Sequence, residues 1–224
     1  RGWIEFPAQM RMGTERWFEL NLRALTGGDG AIYGALGLLR DIDERKRYEQ
    51  ELFAAEMTDP LTGLSNRRAF MAMLRHMVAG GVPGCIALLD IDHFKAINMK
   101  FGHSAGDRVL VLFAEFVRGL ARSNDIVSRV GGESLGLLMP GTSVAKAEAG
   151  CRRILSELAD FRLAVGGERL AITASAGVAR IAGTLDGAIR DAETALFLAK
   201  AKGRNRTESE CRMRMVWAGE RPAA

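Results

Sequence analysis

Cysteine is scarce in this chain. The three residues, Cys85, Cys151 and Cys211, are odd in number and lack metal-ligand spacing. Neither a disulfide framework nor a thiolate zinc site is expected, and reduced thiols in a cytoplasmic setting are the default. Long apolar runs are also missing. None approaches the roughly 20 residues needed to cross a bilayer, so no membrane segment is expected in this stretch. The opening Arg1-Gly2-Trp3 has neither an initiator methionine nor the pattern of a secretory leader, and reads as the middle of a longer protein. Aromatic residues, 7% of the chain, do not interleave with basic ones as on a nucleic-acid-binding surface. The net charge of +4 is modest, so nucleic acid is not an expected partner.

What the chain does have is apolar content. With 48% hydrophobic residues over 224 positions, it is long enough for one full domain plus a smaller attachment. Residues 126–140 read as two apolar strands reversing through Gly131-Gly132 with Glu133 at the tip. Adjacent glycines suit a tight hairpin whose central positions need positive φ. Alone, this describes an ordinary hairpin with a solvated end. Upstream, the apolar run from Cys85 ends in Asp90-Ile91-Asp92, which reads as a buried strand emerging at a sheet edge. Side chains alternate along a strand, so Asp90 and Asp92 share a face. If this strand pairs with the hairpin, Asp90 and Glu133 converge on one divalent cation. Mg²⁺ is commonly held by one or two carboxylates plus substrate phosphates, which points to nucleotidyl transfer.

Four separated blocks then resemble the GGDEF-domain diguanylate cyclases, over about residues 58–206. They are Asp59-Pro60-Leu61-Thr62-Gly63-Leu64-Ser65-Asn66-Arg67-Arg68, the stretch 90–107, the stretch 129–135, and Ala195-Leu196-Phe197-Leu198-Ala199-Lys200-Ala201-Lys202-Gly203-Arg204-Asn205-Arg206. The resemblance implies an α+β fold, with a central, mainly antiparallel five-stranded sheet flanked by helices, akin to the nucleotidyl cyclase and polymerase palm. It implies binding of GTP with Mg²⁺, or Mn²⁺, and condensation of two GTP into cyclic di-GMP and pyrophosphate. Because one domain holds one GTP, it also implies a homodimer, formed through the linker helix and the catalytic faces.

By the same resemblance, Asp90, the Ile91 carbonyl and Glu133 are the metal ligands, and Asp90 and Glu133 the catalytic acids. The backbone of His93, Phe94 and Lys95, with Gly131 and Gly132, surrounds the nucleotide. Asn98 and Asp107 read guanine. Lys200 and Arg204, four apart on the last helix, bind phosphate. Arg122 and Asp125, an Arg-x-x-Asp, with Arg153, form an inhibitory product site for cyclic di-GMP. The signature departs from the family at Ser134, where an acid is usual, and at Leu135, where phenylalanine is usual; Met99 and Phe197 stand for Asp and Tyr. Losing the acid at 134 predicts activity reduced or lost. The alternative is a catalytically silent module that binds GTP or cyclic di-GMP.

Around this core, residues 3–11, 16–23 and 31–40 read as strands, with a turn at Thr26-Gly27-Gly28-Asp29-Gly30. The tail Asp41-Ile42-Asp43-Glu44-Arg45-Lys46 resembles the end of a PAS sensory domain. Residues 44–57 read as a linker helix with Tyr48, Leu52 and Ala55 at seam spacing. The expected organisation is therefore a partial PAS domain at 1–43, linker at 44–57, GGDEF domain at 58–207 and tail at 208–224. Within the main domain, helices are expected at 66–78, 107–121, 145–158 and 185–202, and strands at 163–165 and 170–179.

Overall fold

The computed structural model describes residues 2–11, 13–165 and 168–209. The chain divides into two compact units after Glu56. The first holds an antiparallel meander of β1 (Ile4–Gln9), β2 (Glu15–Thr26) and β3 (Ile32–Asp41), followed by α1 (Asp43–Met57). The sheet and the start of the helix are joined by charge. Glu19, 8% exposed, accepts from Arg40 at 2.8 Å and Arg45 at 3.4 Å, and Glu5 pairs with Arg45 at 2.8 Å and Lys46 at 2.6 Å. The Lys46 ammonium, then Arg45, holds the Glu5 carboxyl below its ordinary value. Tyr48, Leu52 and Phe53 on α1 are exposed, as are Ile4, Leu22 and Leu39 on the sheet. The side chain of Ala55 lies outside the described residues.

The second unit is built on a sheet of order β11-β10-β5-β7-β6-β4. Its elements run β4 (Ser65–Asn66), α2 (Arg67–Ala79), β5 (Gly84–Ile91), α3 (Phe94–Phe101), α4 (His103–Leu120), β6 (Ile126–Arg129), β7 (Ser134–Pro140) and α5 (Val144–Asp160). Then come β8 (Arg162–Val165), β9 (Glu168–Ala171), β10 (Ala174–Arg180), α6 (Leu185–Ala201) and β11 (Thr207–Ser209). The class is α+β, as expected. The four inner strands are antiparallel, and two short strands, β4 beside β6 and β11 beside β10, extend the edges in parallel. These make the sheet six strands wide rather than five. The single strand expected at 170–179 is two: β9 pairs with β8 in a separate ribbon, and β10 joins the main sheet. β11 carries the sheet to Ser209, two residues into the stretch read as tail; residues 210–224, including Cys211, lie outside the described residues.

Strand β5 is buried along its whole length because helices cover both faces. Cys85, Ala87, Leu89 and Ile91 pack with Val109, Phe113 and Val117 of α4 and Ile154, Leu155 and Leu158 of α5. Ile86 and Leu88 pack with Phe70, Leu74 and Met77 of α2 and Ala192 and Leu196 of α6. Period-two alternation thus explains a continuous apolar run, and it assigns Asp90 to the α2/α6 face. Cys151 is fully buried, and burial pushes its thiol up to about 12, so it is an inert core residue.

Helix α6 lies unusually close to the sheet at Gly177, where a Cβ would stand 2.2 Å from both the Ala192 carbonyl oxygen and the Leu196 amide nitrogen. Gly177→Ala is therefore expected to displace α6 and cost about 1–3 kcal/mol or more. Chemical denaturation checks this, and unchanged stability would mean that the helix has room to move.

Candidate active site

The end of β5 is the centre of the site. Asp90 lies opposite Ser134 on one side and Ser175 on the other, and is 7% exposed. Its Oδ2 accepts from Lys200 Nζ at 2.5 Å, while Oδ1 is buried with no hydrogen-bond partner. A bare, buried carboxylate oxygen is costly unless something completes it. Ile91 ends the strand, and its amide donates to the Glu133 carbonyl at 3.4 Å, so the half-buried Glu133 sits beside the strand end. The carboxylates of Asp90 and Glu133 and the Ile91 carbonyl are hard oxygen donors of the kind Mg²⁺ takes. Among the described residues no three His, Cys, Asp or Glu side chains converge, so such an ion would rely on water and substrate oxygens for its other ligands.

The hairpin differs from the expected tight turn. Neither Gly131 nor Gly132 has a positive φ. Three residues, 131–133, loop between Val130 and Ser134, whose backbone atoms close the turn at 3.0 Å. The longer loop removes the need for mirror-image backbone. Arginines hold it instead: Arg129 donates to the Gly132 carbonyl at 2.8 Å and Arg67 to the Val130 carbonyl at 3.3 Å. Arg129 also meets Asp59 Oδ1 and Oδ2, both at 3.2 Å. Burial pushes the Asp59 carboxyl up, but the Thr62 hydroxyl and amide and the Arg129 guanidinium outweigh it and hold the group below its ordinary value.

Beyond the strand, His93 adopts a left-handed backbone (φ 56°) at the start of α3. The amides of His93, Phe94 and Lys95 fall where a helix has no partners of its own, a natural anion cradle. Asn98 on α3 packs against Gly106 so tightly that a Cβ there would lie within 2.9 Å of its Cγ. The Asn98 Oδ1 is buried without a partner, and the neighbouring Asp107 is exposed on α4. Asn98 and Asp107 thus sit on two helices that meet at Gly106, the one packed against that glycine and the other its neighbour in the chain. Helix α4 begins at His103, earlier than expected, which puts Asp107 in its second turn.

Lys200 and Arg204 do not share a helix face. Helix α6 ends at Ala201, and Gly203 (φ 107°) closes it with hydrogen bonds from Gly203 N to Lys200 O and from Arg204 N to Ala199 O. This left-handed glycine cap turns the chain, so Arg204 lies past the helix.

Arg122, Asp125 and Arg153 come together, away from Asp90, around a cavity of about 490 Å³. Asp125 Oδ2 accepts from the Arg122 amide at 2.9 Å, and Arg153 donates to the Leu120 carbonyl at 2.9 Å. Lys146 lines the same cavity and was missed in the sequence. Its spacing of seven from Arg153, two turns of α5, was the available signal. A second groove, of about 340 Å³, runs from Asp90, Ser134 and Lys200 between α2 and α6, with Phe70 and Phe197 in its walls.

The family pattern described as Diguanylate cyclase, GGDEF domain, matches residues 56–206. The diguanylate cyclase DgcP of Pseudomonas aeruginosa is 41% identical over 158 residues, covering 68% of this chain and 24% of that protein. The response regulator PleD of Caulobacter vibrioides is 38% identical over 178 residues, covering 72% of this chain and 39% of that protein. The crystal structure of the coiled coil and GGDEF domain of DgcB from Caulobacter crescentus, in complex with c-di-GMP, matches with a TM-score of 0.71 and 29% identity, over 75% of this chain and 93% of that one. The chain belongs to the GGDEF-domain diguanylate cyclase family. It spans well under half the length of these two curated relatives.

Because Asp59 is held ionised, its contribution is fully present above about pH 4 and is lost as pH falls through its lowered folded pKa. Asp59→Asn should cost about 1–3 kcal/mol at pH 7, with the gap to wild type narrowing at pH 3. Urea denaturation at both pH values checks this; an equal loss at each would remove the charge-based account.

Proposed function

We propose that this chain is a signalling domain that binds GTP with Mg²⁺ and condenses two GTP into cyclic di-GMP and pyrophosphate, with turnover reduced or lost because residue 134 is serine. The observation that carries the reading is the pair of bare, buried oxygens, Asp90 Oδ1 near the end of β5 and Asn98 Oδ1 on the following helix α3. One is suited to a cation and the other to a base edge. Asp90, the Ile91 carbonyl and Glu133 would hold Mg²⁺, with Mn²⁺ an acceptable substitute. That ion would supply charge neutralisation at the phosphates and make the attacking 3′-hydroxyl more acidic.

The protein's own groups do the rest. The amides of His93, Phe94 and Lys95 cradle phosphate, with Gly131 and Gly132 allowing close approach. Asn98 and Asp107 orient guanine. Lys200 leaves Asp90 for a phosphate oxygen, and Arg204 adds a second cation. A second copy of the chain presents the other nucleotide, so the active species is a homodimer assembled through the linker helix and the catalytic faces.

Ser134 is the weak point. It stands directly across the ladder from Asp90, where the family's acid would add negative charge beside the reacting oxygen. The cavity of Arg122, Asp125 and Arg153 does not depend on it. The second reading, a silent module responding to GTP or cyclic di-GMP, rests on this separation. The N-terminal meander we read as the end of a PAS-type sensor, supported by its three antiparallel strands running into a helix. A cytoplasmic location is part of the same proposal; among the described residues no helix is long and apolar enough to cross a membrane.

Purified protein incubated with GTP and Mg²⁺ and assayed for cyclic di-GMP tests the reading. Weak turnover is expected, abolished by Asp90→Ala and raised roughly a hundredfold by Ser134→Glu. Full activity with serine in place would show that the missing acid is dispensable. Arg122→Ala should remove cyclic di-GMP binding while sparing GTP; unchanged product affinity in calorimetry would dismiss the regulatory cavity.

A further inference from the structure

Two carboxylates two residues apart, on the same face at the end of β5, are treated oppositely by the fold. Asp90 keeps one oxygen bare. Asp92, 5% exposed, has both engaged: Oδ1 accepts from Ser175 Oγ at 2.7 Å, and Oδ2 from Thr173 Oγ1 at 2.8 Å and the Asn205 amide at 3.0 Å. So satisfied a carboxylate is poorly placed to become a ligand for anything else.

Its third donor is the informative one. After Gly203 the chain must turn from α6 into β11, and it does so with Arg204 (φ 62°) and Asn205 (φ 45°), consecutive residues in the left-handed region. Only glycine, and to a lesser degree asparagine, adopts that region readily, so a surrounding constraint must hold arginine there. The constraint is visible on either side. The Arg204 amide donates to Ala199 O at 3.0 Å, and the next amide, Asn205, donates to Asp92. Further on, Arg206 O accepts from Ala176 N at 2.9 Å, which docks the strand. Among the described residues no acidic side chain pairs with the Arg204 guanidinium, which leaves it available to an anion.

The geometry points to Asp92 as a positioning residue: its buried carboxylate pegs the left-handed Arg204–Asn205 turn, and so sets where Arg204 meets the nucleotide phosphates. This rests on the proposed phosphate role of Arg204. It gives the second acid of the Asp90-Ile91-Asp92 run a task distinct from metal binding.

The test is equilibrium binding of a fluorescent GTP analogue to the full chain in Mg²⁺ buffer, with GMP measured by displacement. Arg204→Ala is expected to weaken GTP about tenfold and leave GMP nearly unchanged. Asp92→Ala should match it within a factor of about two, and the double variant should be no weaker than either single one. Placing Asn205→Gly in the Asp92→Ala background should restore much of the lost affinity, because glycine takes the left-handed turn without a peg. Thermal melting reports folding, and Asp92→Asn replaces Asp92→Ala if the latter does not fold. Folded Asp92 variants with wild-type GTP affinity, losses that multiply in the double variant, or GMP weakened as much as GTP would each overturn the proposal. Wild-type GTP affinity in Arg204→Ala would instead remove the phosphate role of Arg204, and the proposal with it.

Discussion

The contact between Lys200 and Asp90 is the constraint on which the rest of the site depends. A carboxylate at the end of a strand covered on both faces is expensive to keep charged, and removing one partner of such a buried pair costs on the order of several kcal/mol. The protein meets that demand from a residue 110 positions away, in the last turn of α6. Lys200 can reach because α6 lies close against β10 at Gly177, and because α6 and Asp90 share the same face of the sheet. The partnership is incomplete by one oxygen, and that incompleteness makes Asp90 a candidate ligand rather than a structural anchor.

The same strand end separates holding from reacting. The groups proposed to hold a nucleotide come from three directions: the left-handed entry into α3, Asn98 and Asp107 on α3 and α4, and the cations at and beyond the end of α6. The group suited to promote reaction would come from the hairpin, opposite Asp90. There the chain has a hydroxyl, on the first residue of β7, next to a loop held by Arg129, which bridges the Gly132 carbonyl and Asp59, and by Arg67 at the Val130 carbonyl. The hairpin is firmly supported, so the proposed consequence of Ser134 concerns that one side chain and not the scaffold around it.

Much of this is legible in the sequence. The buried strand ending in Asp90, the hairpin beside it and the helices around the sheet follow from apolar period and turn signals, whereas the grouping of Arg122, Asp125 and Arg153 comes only from the family resemblance. The failures have physical causes. Gly131-Gly132 suggested a two-residue turn, but a sequence pattern does not count loop residues, and the loop has three. Lys200 and Arg204 looked like neighbours on a helix because spacing of four implies it. Gly203 ends that helix between them, and its left-handed cap was the overlooked signal. Lys146 was passed over because a lone lysine on a helix is ordinarily solvated, and only the placement of α5 puts it beside Arg122.

Local rules govern what each segment is, because alternation, capping and turn chemistry act between residues close in the chain. They determined the strands, the helices, and the acid-rich end of β5. Which acid stays open and which is saturated is another matter: Asp90 and Asp92 are the same residue type, on the same face, two residues apart. Their difference is made by Thr173, Ser175, Lys200 and Asn205, all more than 80 positions downstream. Hydrogen bonds act over about 3 Å, and only the folded chain brings such distant donors within that range.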